Sequence, residues 1–302
     1  MRTMCFWALW ALGCSSDAPS DDKTDTDTAA SLTTGTDATP PSVDWSNHPI
    51  LTGDLKVVAH RGGGLEAPEN TLEALRASAP HTDMFEIDVW STSDDVLVLM
   101  HDDTVDRTTD GTGAVRNFTY SEIAELDAGY HFTPDGGKTY PHRGQGVMVP
   151  ALVEVLTEFS DKLFSIEIKQ QSPSIVEDVI DLIDAYDMRD QVVIGAFEDE
   201  VLLEVREAAP DILTTFGVLE GMELYFLPEF QEAEYEPPTR YFAAPLEYEG
   251  LTLDASKVEK CHRLGITLHV WTLNEVEDMQ TVIDWGVDGI ITDVPTTLSE
   301  LL

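Results

Sequence analysis

From Leu55 onward, strand-like apolar runs alternate with amphipathic, helix-like stretches. The runs fall at 55–60, 84–90, 96–101, 163–169, 192–197, 212–217, 241–244, 266–271 and 288–292. Helix-like segments lie between several of them, at 151–159, 174–186, 199–209, 255–264 and 274–284. Repeated β-then-α units specify a parallel sheet, and about eight of them specify a closed barrel. The expected fold is therefore a (β/α)8 TIM barrel, somewhat irregular, over residues 49–302. Nine runs compete for eight places, and 241–244 is the first candidate for exclusion.

Two irregularities interrupt the rhythm. Only Ser91–Asp95 separates the second and third runs, too short for the crossover that a parallel pair requires. Either a helix is missing from a distorted barrel or the pair is locally antiparallel; the sequence leaves both open. Residues 103–149 then form a long excursion rich in Gly, Thr, Asp and Tyr, including Gly111-Thr112-Gly113 and Asp135-Gly136-Gly137. Loops of this length are usually functional or separately structured. We expect a small insertion here, after the third strand, capping the barrel mouth and building, together with other loops that the sequence does not place, the pocket that selects the head group.

Residues 1–48 have a different character. Residues 3–13 are an apolar run behind Arg2, too short to span a bilayer core of ~30 Å and matching a signal-peptide core. The run ends Ala11-Leu12-Gly13-Cys14, which resembles a bacterial lipobox with Cys14 as the lipidated residue. Residues 15–48 are a Ser/Thr/Asp-rich tract that buries too little surface to offset its ordering entropy, so it is expected to be a disordered linker. An exported, lipid-anchored protein of the bacterial cell envelope follows, with a secreted or periplasmic one as the alternative.

The formal charge is −40, and residues 1–48 hold only seven Asp against Arg2 and Lys23, so about −35 belongs to residues 49–302. That balance excludes nucleic acid as a partner, because phosphate backbones require Lys and Arg. It fits a surface kept soluble at high ionic strength. The cysteines are at 5, 14 and 261, so no disulfide framework supports the folded part, and Cys261 reads as a packed residue.

The charged residues inside the apolar runs carry the chemistry. His60-Arg61-Gly62 closes the first run, Glu86-Ile87-Asp88 lies in the second, His101-Asp102 ends the third, and Glu167-Ile168-Lys169 lies in the fourth. Glu86 and Asp88 are two apart on a strand, so they share a face, as do Glu167 and Lys169. Two carboxylates buried side by side are costly unless a cation joins them. Three carboxylates without a nearby Cys or His-x-x-x-His spacing define a hard oxygen site, hence Ca²⁺ or Mg²⁺ rather than Zn²⁺. Arg61 and Lys169 then face an anionic substrate, and His60 and His101 form an acid/base pair near neutral pH. His48, His81, His131, His142, His262 and His269 read as surface or core residues.

With Pro68-Glu69-Asn70-Thr71, Val149-Pro150-Ala151-Leu152, Val270-Trp271-Thr272-Leu273-Asn274 and Gly286-Val287-Asp288-Gly289-Ile290-Ile291-Thr292-Asp293-Val294-Pro295, these motifs run in order across nearly the whole of residues 55–302. In that order the chain resembles the glycerophosphodiester phosphodiesterase family. The resemblance implies a TIM barrel, one divalent cation on Glu86, Asp88 and Glu167, and phosphate binding by Arg61 and Lys169. It further implies acid/base catalysis by His60 and His101, Trp271 packing on the glycerol, Asn70 bracing the first loop and Glu69 near the metal's outer shell. Its reaction releases sn-glycerol 3-phosphate and an alcohol from a small glycerophosphodiester. Gly195-Ala196-Phe197-Glu198 departs from the family's Ser-Phe-Asp strand end, which touches pocket shape rather than chemistry.

Three alternatives compete. A phospholipase D acting on lysophospholipid or sphingomyelin would use the same histidines, but it calls for a basic or aromatic rim, and secreted forms usually carry disulfides. A non-catalytic ligand-binding lipoprotein needs no acid/base pair. A glycosidase uses paired carboxylates but not cations suited to an anion.

Overall fold

Strands covered on both faces read as continuous apolar runs, and the computed structural model, which describes residues 43–302, places eight such runs in one ring. In chain order the elements begin β1 (Lys56–His60), α1 (Leu72–Ser78), β2 (Met84–Ser91), β3 (Leu97–Leu99), α2 (Tyr120–Ile123), α3 (Leu152–Glu158) and β4 (Leu163–Ile168). There follow α4 (Val176–Ala185), β5 (Val192–Gly195), α5 (Asp199–Ala208), β6 (Leu213–Thr214), α6 (Val218–Phe226) and β7 (Tyr241–Pro245). The chain ends β8 (Glu247–Tyr248), β9 (Leu251–Thr252), α7 (Ala255–Arg263), β10 (Thr267–Trp271), α8 (Val276–Trp285), β11 (Gly289–Thr292) and α9 (Pro295–Leu301).

The ring order is β6-β5-β4-β2-β1-β11-β10-β7, with every neighbouring pair parallel. A single parallel bridge from Thr215 to Tyr241 joins β6 to β7 and completes the barrel. Its wall is therefore weakest at that seam. The signal-peptide, Cys14 and most of the linker expectations fall on residues 1–42, outside the described residues.

Two strand assignments change. The 241–244 run is a barrel strand, paired with β10 from Tyr241 to Pro245. The 96–101 run stands outside the ring instead, because β3 pairs antiparallel with β2, Val89 opposite Leu99. The short Ser91–Asp95 connection thus makes a hairpin, which needs no crossover. Residues 103–149 extend from this hairpin and pack Val105, Val115, Ile123, Val147 and Val149 with Val98 and Met100 into a small core of their own.

Candidate active site

The turn after β1 sets the geometry. Arg61, Gly62 and Gly63 have φ of 52°, 98° at Gly63 and 81° at Gly62, three consecutive residues in the left-handed region. Glycine adopts that region without steric cost, and a Cβ on Gly62 would stand 3.0 Å from the Leu75 side chain. The turn aims the Arg61 N–H at Glu86 Oε2, 2.9 Å away. It also receives Asn70, whose backbone N–H donates to Arg61 O at 2.8 Å. Asn70 Nδ2 donates to Asp88 Oδ2 at 2.8 Å and Asn70 Oδ1 accepts from the Asp88 N–H at 3.2 Å, so one buried amide fixes the Asp88 carboxylate.

Asp88 on β2 is in register with Glu167 on β4, and Glu86 lies one pleat earlier on the same face. Each of the three offers a carboxylate oxygen within 4.8 Å of the others. Glu86 is 5% exposed and Asp88 1%. Burial first, and the neighbouring Asp88 charge second, push the Glu86 pKa up to about 8. Asp88 Oδ1 is buried without a hydrogen bond, although Lys169 Nζ stands 3.1 Å away. Crowded carboxylates, one of them with an uncapped oxygen, fit a hard divalent cation. The donor set matches the group that the sequence implies.

Two cations flank the trio. Lys169 Nζ donates to Glu167 Oε1 at 2.6 Å, and Arg61 Nε stands 3.4 Å from Asp88 Oδ2. Burial alone would lower both pKa values, but the carboxylates outweigh it and keep both side chains protonated.

Both histidines have Nδ1 committed to a carboxylate. His60 Nδ1 meets Asp293 Oδ1 at 2.7 Å, and Asn274 Nδ2 donates to Asp293 Oδ2 at 2.8 Å. Burial would depress His60, but Glu86, whose Oε2 is 3.9 Å from Nε2, and Asp293 hold it above its ordinary value. His101, just beyond β3, places Nδ1 2.7 Å from Asp102 Oδ1. Arg107 Nε donates to Asp102 Oδ2 at 2.7 Å. Burial works against ionisation of Asp102, yet the Arg107 and His101 contacts hold its pKa down to about 2. The other edge of Arg107 binds Glu69 through two bonds of 2.7 and 2.8 Å. Glu69 also accepts from Arg61 at 3.0 Å, so its carboxylate is engaged by two arginines rather than turned to the trio. A carboxylate on Nδ1 fixes tautomer and ring orientation and leaves Nε2 to react.

Sequence reasoning missed Arg107, Asn274 and the orienting roles of Asp102 and Asp293. Asp293 and Asn274 sit in quoted motifs, whereas nothing near Arg107 in the sequence marks it.

One cavity of about 240 Å³ gathers His60, Arg61, Glu86, His101, Glu167, Lys169 and Trp271 in its wall. None of residues 103–149 lines it, which corrects the excursion's part in the expected substrate pocket and leaves that pocket to the other loops. Its remaining walls come from the loops after β5, β6 and β7 and from α6 and α7. The other histidines stay apart from it: His48 and His269 are buried, and His262 contacts Asp288. Cys261 is buried, and burial pushes its thiol up to about 12, which makes it inert.

Charge of both signs gathered where barrel strands end, beside two oriented imidazoles, belongs to a TIM-barrel hydrolase of phosphoric diesters. The model of the glycerophosphoryl diester phosphodiesterase family matches residues 60–297, and the chain belongs to that family. It is similar to a glycerophosphodiester phosphodiesterase of Caldanaerobacter subterraneus, 37% identical over 82% of this chain and 97% of the relative. A human lysophospholipase D is 26% identical over 82% of this chain and 86% of the relative. Among solved structures, a glycerophosphodiester phosphodiesterase from Agrobacterium tumefaciens superposes with a TM-score of 0.65 at 25% identity, covering 82% of this chain and 99% of that one.

Proposed function

We propose that this enzyme hydrolyses small glycerophosphodiesters to sn-glycerol 3-phosphate and a free alcohol, using one divalent cation with His60 and His101 as acid and base. The observation that carries this reading is the pair of histidines, each held at Nδ1 by a carboxylate 2.7 Å away, in one cavity with the carboxylate trio. A cation on Glu86, Asp88 and Glu167, Ca²⁺ or Mg²⁺, supplies when bound the positive charge that an anionic diester needs on so acidic a protein. Arg61 and Lys169 bind the non-bridging phosphoryl oxygens. One imidazole Nε2 removes the proton from a glycerol hydroxyl as its oxygen attacks phosphorus. The other imidazole delivers a proton to the leaving alkoxide. Water then opens the cyclic phosphate with the two roles exchanged, and Trp271 packs on the glycerol throughout.

The test is release of glycerol 3-phosphate from glycerophosphocholine. Activity is expected to vanish in a chelator and return with Ca²⁺ or Mg²⁺. Equal activity in the chelator, or none with either metal, contradicts the proposal. For location, we propose export and lipid attachment at Cys14, supported by the lipobox-like Ala11-Leu12-Gly13-Cys14. Incorporation of radioactive palmitate into wild type but not Cys14→Ser is the expected outcome; an unlabelled wild type refutes it.

A further inference from the structure

The wall of the cavity runs against the charge of the whole chain. The formal charge is −40, yet the only carboxylates in the wall are Glu86 and Glu167 of the trio. Apart from these and the phosphate-facing Arg61 and Lys169, the only Asp, Glu, Lys or Arg residues in it are Lys257 and Lys260. Both come from α7, whose first turn is capped by Asp254, accepting from the Ser256 and Lys257 N–H groups at 2.8 and 3.2 Å. Val258 and Cys261 join the apolar core, and Lys257 and Lys260, three apart, lie side by side on the helix surface.

Lys260 is 9% exposed, and its Nζ donates to the carbonyls of Leu224, Tyr225 and Leu227 at the end of α6, at 3.1, 3.3 and 2.7 Å. Those carbonyls satisfy its protons without supplying a full countercharge. Burial first, and the Lys257 charge second, lower its pKa, so the two ammonium groups act on each other. Lys257 Nζ stands 4.7 Å from the centroid of the Tyr225 ring and, among the described residues, within 4.0 Å of no carboxylate. Positive charge withdrawn from water and short of a counterion favours an anion beside it. In the mechanism above, Trp271 packs on the glycerol while Arg61 and Lys169 hold the phosphoryl oxygens. The part of the cavity beside Tyr225, Tyr248 and Lys257 is then left to the departing alcohol. A tyrosine face suits a quaternary ammonium, but that of Tyr225 already carries Lys257. A choline or ethanolamine cation placed there meets like charge, whereas an anionic group on the alcohol meets opposite charge.

We propose that Lys257, backed by the fixed charge of Lys260, is a specificity-determining residue that favours diesters whose leaving alcohol bears an anionic group over those of choline and ethanolamine. The inference rests on the catalytic reading above and adds to it the head group. With a serine diester, the overall reaction breaks the bond from phosphorus to the serine oxygen. Water supplies hydroxyl to phosphorus and a proton to that oxygen, while the serine carboxylate pairs with Lys257.

The test compares glycerophosphoserine with glycerophosphoethanolamine, which differ by a single carboxylate, on the metal-loaded full chain. Wild type is expected to favour the serine diester at least about tenfold in kcat/KM, the low end of what a hydrogen bond to a charged group contributes. Lys257→Met should bring the two values together, and Lys257→Arg, which keeps the charge, should preserve the preference. Equal kcat/KM values in wild type, or a preference that survives Lys257→Met, overturn the role of Lys257. Calorimetric binding of both diesters to metal-loaded His60→Ala separates this inference from the catalytic reading. Tighter binding of the serine diester, lost when Lys257→Met is added, supports the inference even if wild type hydrolyses neither diester. Equal affinities, or no binding of either diester, overturn it.

Discussion

Arg107 joins two parts of the site that share no motif. It fixes Asp102, and through it His101, while its other edge holds Glu69 against Arg61. Arg107→Ala frees both carboxylates, and we expect kcat on glycerophosphocholine to fall roughly 10–100-fold, the usual cost of losing a group that orients a catalytic one. Arg107→Lys, which retains the charge but not the two-sided fork, should recover only part of that loss. Steady-state kinetics decides it: a change confined to KM would show that Arg107 does not act through His101. Asn70 plays the matching part for the proposed metal site by gripping Asp88 from both ends of its amide. Asn70→Ala should weaken divalent-cation affinity roughly 10–100-fold in a calorimetric titration, and unchanged affinity would remove Asn70 from that role. The first-rank residues were legible because charges stand out in apolar strands. Arg107 was not, since it lies in the excursion, and its 2.7 Å bond to Glu69 spans 38 residues of sequence.

At the scale of elements, the barrel strands were readable wherever they are apolar on both faces. The exception was β7, Tyr-Phe-Ala-Ala-Pro, whose small residues and proline mask a strand that pairs along its full length with β10. The apolar 96–101 run deceived in the other direction, because Leu97 and Leu99 join the core beside β2 and β4 while Val98 and Met100 join the excursion's core, so it is apolar on both faces without standing in the ring. The cavity's apolar wall had no sequence signature, since it is drawn from segments far apart in the chain.

One element carries a pH dependence. His269 on β10 is fully buried in the barrel, with Nδ1 on Tyr241 Oη at 2.9 Å and Nε2 without a partner. Burial, helped by the Lys56 charge, lowers its pKa to about 3. Its unfolded value is near 6.5, so below that pH the unfolded chain takes up a proton that the folded chain refuses. Stability is then lost as pH falls from about 6.5 toward 3, by about 2 kcal/mol at pH 5. Urea midpoints of the metal-free protein at pH 7 and pH 5 should show that loss in wild type and a correspondingly smaller one in His269→Asn. An identical pH response in the two proteins would exclude His269 as its source.

For the whole molecule, the dominant quantity is a formal charge of −40 carried almost entirely by the folded part. Self-repulsion opposes the compact state, and salt shortens its range from about 10 Å at 0.1 M to about 3 Å at 1 M. The melting temperature should therefore rise by several degrees between dilute buffer and 1 M NaCl, whereas a flat or falling curve would mean that repulsion does not limit stability. In the mechanism we propose, Arg61, Lys169 and a bound cation make an anionic diester acceptable against that negative background, and the two oriented histidines make it react. The most direct measurement is the rate of glycerol 3-phosphate release by metal-loaded His60→Ala and His101→Ala beside wild type, with cation binding measured on the same samples. Each variant is expected to lose at least about 10²-fold in kcat while still binding the cation. Near-wild-type turnover by either variant would contradict the assignment of the acid/base pair.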